Sequence, residues 1–388
     1  MLFRSSRNKI IENLKLIDQY RNNNNFENNI LRPYYFNNCI NNQFPYLSNN
    51  CFNNNSFKDN NIQKNTLNGT SKIRIKNNKA NILNSLKNYW GSINLQLILS
   101  YMDSNEISSL LINILPYINE IMCLEYGNYF FQTLLKKLNT QQRIKIYQVI
   151  EPHFPNIAMN KSGTHSIQSL IDEIQTPIEQ ITLDNLLNKN MLILFNNENS
   201  YHIIMKIIIE KPEKNRNNIN FFIINNIKDI IINPYGAYCV NKFIVNNIDI
   251  NLRLLLLKNI HNNIQYFFFR KCSCSILLLL LKYYNYNLCN FIFEEVKNRL
   301  NILIANPISY SFVNKILYYL KNKDIDLLHS FIWNIYKSNN LLKDLFQSNN
   351  GLELIKTMIN YSNSSQKEYI IEKIKSINKK LYNNYINK

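Results

Sequence analysis

The chain has 388 residues, of which 46% are hydrophobic and 18% are charged. Lysine and arginine total 44 and aspartate and glutamate total 26, so the net charge is 44 minus 26, or +18. This excess favours a polyanionic partner, either a nucleic acid or an anionic membrane surface. The longest apolar run, 275–281, is too short to span a bilayer, which takes about 20 residues. This run therefore predicts no spanning segment, and of the two polyanions we expect a nucleic acid and no membrane partner.

The cysteine pattern predicts a reduced intracellular compartment and no metal site. No C-x-x-C pair and no histidine at zinc-ligand spacing is present, and the Cys272-x-Cys274 pair has no second ligand pair nearby. No glycine loop that could hold a phosphate is present, and the histidines are widely scattered. We therefore expect neither a cofactor nor an enzyme. The seven cysteines are Cys39, Cys51, Cys123, Cys239, Cys272, Cys274 and Cys289.

Residues 1–80 differ in composition from the rest of the chain. Asparagine accounts for 23 of these 80 residues, with scattered apolar residues and no helical period. Such a stretch buries too little apolar surface to offset the entropy of ordering, which predicts a mostly disordered region. Residues 1–11 carry three basic and no acidic residues, which fits either an organelle transit peptide or an ordinary basic tail.

Residues 81–388 contain a six-residue motif that recurs about every 36 residues, and its clearest copy is Gly127-Asn128-Tyr129-Phe130-Phe131-Gln132. Each copy opens on a small residue, and these stand at 91, 127, 163, 200, 236, 272, 309 and 351. The successive spacings are therefore 36, 36, 37, 36, 36, 37 and 42. A fixed period of this length predicts stacked helical repeats.

The segments between motifs predict a second, amphipathic helix in every repeat. In the first interval Ile107, Leu110, Leu111 and Ile114 form one apolar stripe, and Pro116 ends the helix. The last spacing of 42 predicts an inserted loop at 337–340. Residues 366–377 predict a helix that caps the end of the array.

The motif carries groups that can recognise a flat, polar partner. If a helix begins near Asn128, then Asn128 and Gln132 lie one turn apart on the same face, with Tyr129 about 100° away. Two amides can hydrogen-bond the edge of a nucleobase while the ring stacks on its face. The alternative is that Asn128 caps the helix, Tyr129 lies in the core and Gln132 is solvated. Recurrence of the pattern in several copies favours recognition.

On these residues the chain resembles the PUF (Pumilio) family of RNA-binding proteins over residues 88–362. The resemblance implies an all-α fold, a right-handed, crescent-shaped α-solenoid of about eight three-helix repeats. It also implies that the inner face binds single-stranded RNA. The RNA-binding positions implied are the second, third and sixth of each motif: Ser92, Ile93, Gln96, Asn128, Tyr129, Gln132, Thr164, His165, Gln168, Tyr201, His202, Met205, Ala237, Tyr238, Asn241, Ser273, Cys274, Leu277, Tyr310, Ser311, Asn314, Leu352, Glu353 and Lys356.

The motifs differ in how closely they follow the family pattern. Only the second repeat keeps a standard triplet, which by the family's code reads uracil. The last three repeats lack the family's pattern, Leu277 has no hydrogen-bonding group, and Glu353 would set an acid against a polyanion. We therefore do not expect UGU-type specificity. Lys206, Lys242 and Lys315 follow the sixth position and either contact phosphates or lie on a solvated face.

The hypothesis that follows is sequence-selective binding of single-stranded RNA, an mRNA, for post-transcriptional regulation of translation or stability. Two alternatives stay open: a ribosome-assembly factor that binds rRNA, and a protein-interaction scaffold with an eroded base code. We expect a cytoplasmic monomer that recruits protein co-regulators, with nucleolar or organellar localisation as the alternative.

Overall fold

The computed structural model describes residues 62–65, 72–75, 79–246, 249–284 and 289–377. The chain divides into two compact units, 1–113 and 114–388. In the first unit, strands β1 (Ile62–Asn65) and β2 (Lys72–Ile75) pair antiparallel, with Ile62 opposite Ile75. They lie in the segment predicted to be disordered, and the rest of that prediction falls outside the described residues. Three helices follow: α1 (Lys79–Leu86), α2 (Tyr89–Tyr101) and α3 (Ser104–Ile114).

The second unit is helical at every described position from 114 to 377 that has regular structure. Its motif-carrying helices alternate with second helices and short third helices, so the predicted all-α solenoid of three-helix repeats is confirmed. In order these are α4 (Ile118–Cys123), α5 (Gly127–Leu135), α6 (Thr140–Ile150), α7 (Phe154–Met159), α8 (Gly163–Asp172), α9 (Pro177–Asn196), α10 (Tyr201–Glu210), α11 (Asn217–Asn225), α12 (Ile227–Ile230), α13 (Pro234–Asn246), α14 (Ile250–Asn262), α15 (Lys271–Tyr283), α16 (Asn290–Asn298), α17 (Leu300–Ala305), α18 (Pro307–Lys323), α19 (Ile325–Lys337), α20 (Asn339–Leu345), α21 (Asn349–Tyr361) and α22 (Ser364–Ile377).

Asparagine side chains stand at or just before the start of most helices that carry the motif. The residue three positions before the small leading residue accepts hydrogen bonds from backbone N–H groups of the first turn or of the turn just before it, as in Asn160 Oδ1 with the N–H groups of Ser162 and Gly163, both at 2.9 Å. Such caps satisfy donors that have no partner within the helix. The same position is capped by Asn88, Asn197, Asn233 and Asn306, and by Ser348.

The small leading residue lets each motif helix lie against the short helix before it. A Cβ added at Gly127 would come within 2.4 Å of the Ile121 carbonyl oxygen, six residues earlier, which no side chain tolerates. Where serine replaces glycine, its hydroxyl donates to a backbone carbonyl. Ser200 Oγ donates to Leu194 O, six residues earlier, at 3.2 Å, and Ser309 Oγ donates to Phe268 O, 41 residues earlier, at 2.7 Å. The first motif position is therefore a small residue packed against a backbone carbonyl.

The sixth motif begins at Ser273, one residue later than the sequence spacing predicts. Ser273 Oγ donates to Phe267 O, six residues earlier, at 3.0 Å, whereas Cys272 has its Sγ near the Ile231 carbonyl. The spacings on either side of this motif become 37 and 36, because the leading residues stand at 236, 273 and 309. All positions assigned from Cys272 therefore move by one.

The fourth and fifth motif positions form the core between neighbouring repeats. Phe130, Phe131, Ile203 and Ile204 are completely buried. Each such side chain contributes about 1.5–3 kcal/mol by leaving water. Hydrogen bonds between residues about one repeat apart in sequence also join neighbouring repeats, as between Tyr319 Oη and Leu281 O at 2.5 Å.

Two repeats depart from the common pattern. In the third, the second and third helices are one continuous 20-residue helix, α9, because no proline interrupts it where Pro152 and Pro155 end α6 and begin α7. In the seventh, the predicted loop at 337–340 is wrong. The added residues instead lengthen α18 to 17 residues, and Ser338 caps α20 directly after α19.

A buried ion pair joins the second and third repeats. Arg143 Nε on α6 donates to Glu179 Oε1 on α9 at 2.5 Å, and both side chains are at most 1% exposed. The other carboxylate oxygen accepts the backbone N–H groups of Gln175 and Thr176. These hydrogen bonds, with the guanidinium, hold the pKa of Glu179 below its usual value although burial raises it.

The last helix, α22, closes the described part of the array. It buries Ile370 and Ile374 against the eighth repeat. Gln366 Nε2 donates to His329 O at 2.7 Å and Lys373 Nζ to Tyr336 O at 2.6 Å, so polar groups as well as apolar ones attach it to α19.

Candidate nucleic-acid interface

The third and sixth motif positions reach the surface between buried neighbours. In the second repeat Tyr129 is 55% exposed and Gln132 is half-buried, while Asn128, Phe130 and Phe131 are buried. The third repeat follows the same order, with His165 exposed and Gln168 half-buried. The motif helices therefore present one ring position and one amide position per repeat.

In the second repeat Asn128 positions Gln132. Asn128 Nδ2 donates to Glu125 O at 2.6 Å and Leu124 O at 3.3 Å, and its Oδ1 accepts from Gln132 Nε2 at 3.0 Å. Because α5 begins at Gly127, Asn128 is not its N-cap, and the exposed Tyr129 is not a core residue, so these two parts of the alternative are wrong. The first unit repeats the arrangement, with Gln96 Nε2 donating to Ser92 Oγ at 3.1 Å.

The third repeat uses its second motif position to connect to the fourth. Thr164 is buried and its hydroxyl donates to Asn199 O at 3.1 Å, so the edge groups left at the surface are those of Gln168. Burial and the neighbouring Lys161 lower the pKa of His165, which favours the neutral ring that stacks without a charge.

The fourth repeat carries an aromatic cluster instead of an amide pair. The rings of Tyr201 and Tyr235 are stacked, with centroids 5.2 Å apart and planes 25° apart, and His202 lies 4.1 Å from Tyr201. Tyr238 meets Tyr201 edge-on at 6.2 Å. Met205, at the sixth position, is only 8% exposed. Burial raises the pKa of Tyr201, and burial with the neighbouring His165 lowers that of His202.

The fifth repeat keeps a half-buried ring and an amide. Ala237 is fully buried, Tyr238 is half-buried with Lys242 Nζ 5.6 Å from its ring centroid, and Asn241 is half-buried. Asn241 Nδ2 donates to Ser275 Oγ of the sixth repeat at 3.3 Å, and its Oδ1 is buried with no partner. The Lys242 ammonium therefore lies at the surface that the ring lines.

Two of the residues predicted for the sixth repeat do not reach this surface. Ser273 and Leu277 are fully buried, since they occupy the first and fifth motif positions in the corrected register. Cys274 moves to the second position, and the third and sixth become Ser275 and Leu278, which the sequence prediction missed. The polar and apolar residues around 272–278 carry no mark that separates the two registers. The complete burial of Ser273, with its bond to the Phe267 carbonyl, separates them.

A cleft of about 310 Å³ lies between the sixth and seventh motif helices. Ser275 and Leu278 line it from one side, and Ser311 and Phe312 from the other. Lys271 and Lys315 also line it, and both are exposed. Burial raises the pKa of Cys274 to about 12, so this thiol stays protonated beside Lys315.

The seventh and eighth repeats offer weaker sets. Tyr310 and Asn314 are half-buried with Ser311 exposed between them, and Asn314 Oδ1 is buried with no partner. In the eighth, Leu352 is half-buried and Lys356 Nζ pairs with Glu353 Oε1 at 3.1 Å. The Glu353 charge that would repel a polyanion is therefore offset locally.

Of the three lysines that follow the sixth position, one is already engaged. Lys206 Nζ lies 2.8 Å from both Asp172 Oδ1 and Glu210 Oε2 and is 14% exposed. A phosphate contact by Lys206 would have to replace these pairs. Lys242 lies by the Tyr238 ring, and Lys315 lines the cleft between the sixth and seventh motif helices.

Among the described residues, no group of three or more His, Cys, Asp or Glu side chains is arranged to hold a metal ion. In the same residues, no helix combines the length and the apolar character needed to cross a bilayer. The described cysteines, Cys123, Cys239, Cys272, Cys274 and Cys289, are free thiols.

Two repeats of the chain match a known repeat family directly. The family model of the Pumilio-family RNA-binding repeat matches residues 118–151 and 153–186. A Pumilio domain-containing protein of Schizosaccharomyces pombe is 30% identical over 129 residues, which are 33% of this chain and 19% of the relative. Pumilio homolog 12 of Arabidopsis thaliana is 28% identical over 117 residues, 29% of this chain and 20% of the relative. The match thus spans about a fifth of each of these relatives.

Solved structures match more of the chain. The PUM-HD domain of S. pombe Puf1 in complex with RNA has a TM-score of 0.63 at 17% identity and covers 84% of this chain and 83% of that one. The Puf4 RNA-binding domain bound to an HO endonuclease 3′ UTR recognition sequence has a TM-score of 0.60 at 21% identity, over 77% and 94%. At these identities the likeness shows the fold.

Proposed function

Because this chain belongs to the PUF repeat family, we propose that it binds single-stranded RNA sequence-selectively through the exposed face of its motif helices. The observation that carries the proposal is the hydrogen bond that holds the Gln132 carboxamide on Asn128 beside the exposed Tyr129 ring. A fixed amide reads a base edge and a ring stacks on its face. The third repeat repeats the set with His165 and Gln168.

The biological role we propose is post-transcriptional regulation of an mRNA in the cytoplasm, through its translation or stability. The structurally similar Puf4 domain is bound to a 3′ UTR recognition sequence, which supports an mRNA as the target class. The net charge of +18 supports a polyanionic partner. We propose that the chain acts as a monomer and recruits protein co-regulators.

Selection of RNA by the purified full chain from a random single-stranded pool tests this function. We expect a salt-sensitive motif in which Tyr129→Ala with Gln132→Ala weakens preference at one base, at a cost of about 1–3 kcal/mol. Gln148→Ala, on the exposed surface of α6, is the matched control and should leave the motif unchanged. If the chain is folded and selects no RNA, the proposal fails.

A second function, a protein-interaction scaffold, is favoured by one observation. At the sixth and eighth repeats the reading positions hold Leu278 and the Glu353–Lys356 ion pair, neither of which matches a base edge well. A chain that selects no RNA but whose circular dichroism spectrum shows it to be folded and helical would support this function. Equal binding of duplex and single strands would instead support contact with structured rRNA.

A further inference from the structure

The fourth repeat stands between repeats that keep an amide at the sixth motif position. Gln132 and Gln168 precede it in the second and third repeats, and Asn241 follows it in the fifth. Resting on the function proposed above, we propose that the fourth repeat is a non-reading spacer: Tyr201 and His202 hold a base by stacking, and no group there distinguishes the four bases.

The sixth position of this repeat has no group that can read a base edge. Met205 carries a thioether, a weak acceptor with no donor, and is 8% exposed. Discrimination between bases requires placed donors and acceptors, because a wrong base then leaves one of them without a partner. The Met205 side chain therefore supplies no donor and only a weak acceptor with which to distinguish the four bases.

The second position of this repeat is filled by a ring rather than by an edge-binding group. Tyr201 is half-buried and packs on Tyr235 at 5.2 Å, on His202 at 4.1 Å and against Tyr238 at 6.2 Å. At the equivalent position the second repeat has Asn128, which is buried and hydrogen-bonded. The Tyr201 ring is fixed from three sides, so it forms part of the binding surface in one orientation.

The exposed member of the cluster is His202. With its pKa lowered by burial and by His165, it presents a neutral ring next to that of Tyr201. Two adjacent fixed rings give a stacking platform, and every base has a face that stacks on aromatic rings. The chemistry of this site therefore suits any nucleobase and selects none.

The test requires knowing which RNA position lies at the fourth repeat. Selection with Gln132→Ala and, separately, Gln168→Ala assigns the positions of the second and third repeats. The RNA position of the fourth repeat is then the one that adjoins the position of the third repeat, on the side away from the position of the second repeat. If the wild-type chain selects no RNA, the proposed function itself fails, which is a separate outcome from any preference at this position.

At that position we expect the four bases to bind the wild-type full chain within about threefold of one another. An abasic nucleotide there should weaken binding about tenfold, because stacking is lost. Tyr201→Ala should weaken binding similarly, and Tyr201→Phe, which keeps the ring, should bind within about twofold of wild type. Tyr266→Ala, at an exposed tyrosine between α14 and α15 and outside the motif helices, is the control and should change nothing.

A gain-of-function variant makes the inference sharper. Tyr201→Asn with Met205→Gln gives this repeat the second- and sixth-position residues of the second repeat and should create a base preference of about tenfold. A strong preference already present in the wild-type chain would overturn the spacer. Loss of binding in Tyr201→Phe would show that the hydroxyl reads the base, and tolerance of the abasic nucleotide would show that no base is stacked. Circular dichroism establishes that each variant is folded.

Discussion

Single side chains determine what each repeat can offer a base. The bond from Gln132 to Asn128 uses one of the two N–H donors of the glutamine and fixes the plane of its carboxamide. In the third repeat the hydroxyl of Thr164, at the position of Asn128, donates to the Asn199 carbonyl. Gln168 therefore has a different neighbour from Gln132. Repeats with the same residue at the sixth position therefore need not have the same base preference.

The two stacking histidines predict a pH dependence of stability. The pKa values of His165 and His202 are lowered in the folded chain, so the unfolded chain takes up these protons at higher pH. Their contribution is complete above the unfolded pKa of about 6.5 and is lost as the pH falls from there through the lower folded pKa. We expect thermal unfolding between pH 7.5 and 5.5 to show a decrease in Tm that is smaller, by about 2 °C, in His165→Gln with His202→Gln.

The window is chosen so that Glu179, whose pKa is lowered, stays ionised throughout. Both histidines are partly exposed, so solvent screens the effect. If the double variant loses the same Tm as the wild-type chain over this range, the two rings do not carry the pH dependence.

Between helices, the ion pair of Arg143 and Glu179 is the strongest polar link described in the array. A charge left alone in this buried place is costly, so Arg143→Met should lower the free energy of unfolding by about 3–5 kcal/mol, measured by urea denaturation. Replacing both partners, with Glu179→Gln added, should recover part of the loss, because glutamine removes the unpaired charge and keeps an acceptor for the N–H groups of Gln175 and Thr176. A double variant no more stable than the single would contradict this account.

The matched control is the pair of Lys189 and Glu151, which joins the same two repeats. Its side chains are 64% and 47% exposed, so Lys189→Met should change stability by about 0–1 kcal/mol. If Arg143→Met and Lys189→Met lower the free energy of unfolding equally, burial does not distinguish the two ion pairs.

Elements were predictable where a period or a proline marked them. The spacing predicts the eight motif helices. The continuous α9 results from the absence of a proline, and an absent residue is a weaker signal in the sequence than a present one. The ion pair was not predictable, because Arg143 and Glu179 are 36 residues apart and each resembles a solvated charge. The sixth motif was misread because Cys272 to Ser275 are four small residues in succession, and tertiary contact alone selects among them.

For the whole molecule, the excess of positive charge sets the expected salt dependence. Lys271 and Lys315 line the cleft between the sixth and seventh repeats. If each neutralises a phosphate of single-stranded RNA, Lys271→Ala with Lys315→Ala should make the slope of log K against log salt shallower by about 1.4. Binding at several salt concentrations with the motif selected above measures it.

Lys145→Ala with Lys258→Ala removes the same charge from second helices, α6 and α14, and should leave the slope nearly unchanged. Equal changes in both double variants would mean that net charge alone, and no contact in the cleft, governs the salt dependence.

The asparagine caps have a consequence for how this sequence can change over time. Asparagine stands three residues before five of the motifs, and each of these side chains accepts a hydrogen bond from a backbone N–H group at or just before the start of the motif helix. Asparagine is among the best residues at a cap and a poor one within a helix. A mutational drift toward asparagine therefore costs less at these boundaries than inside a helix. Where asparagine does stand inside a helix, as Asn190 and Asn259 do, its side chain donates to the carbonyl four residues earlier, which satisfies its amide without a new partner.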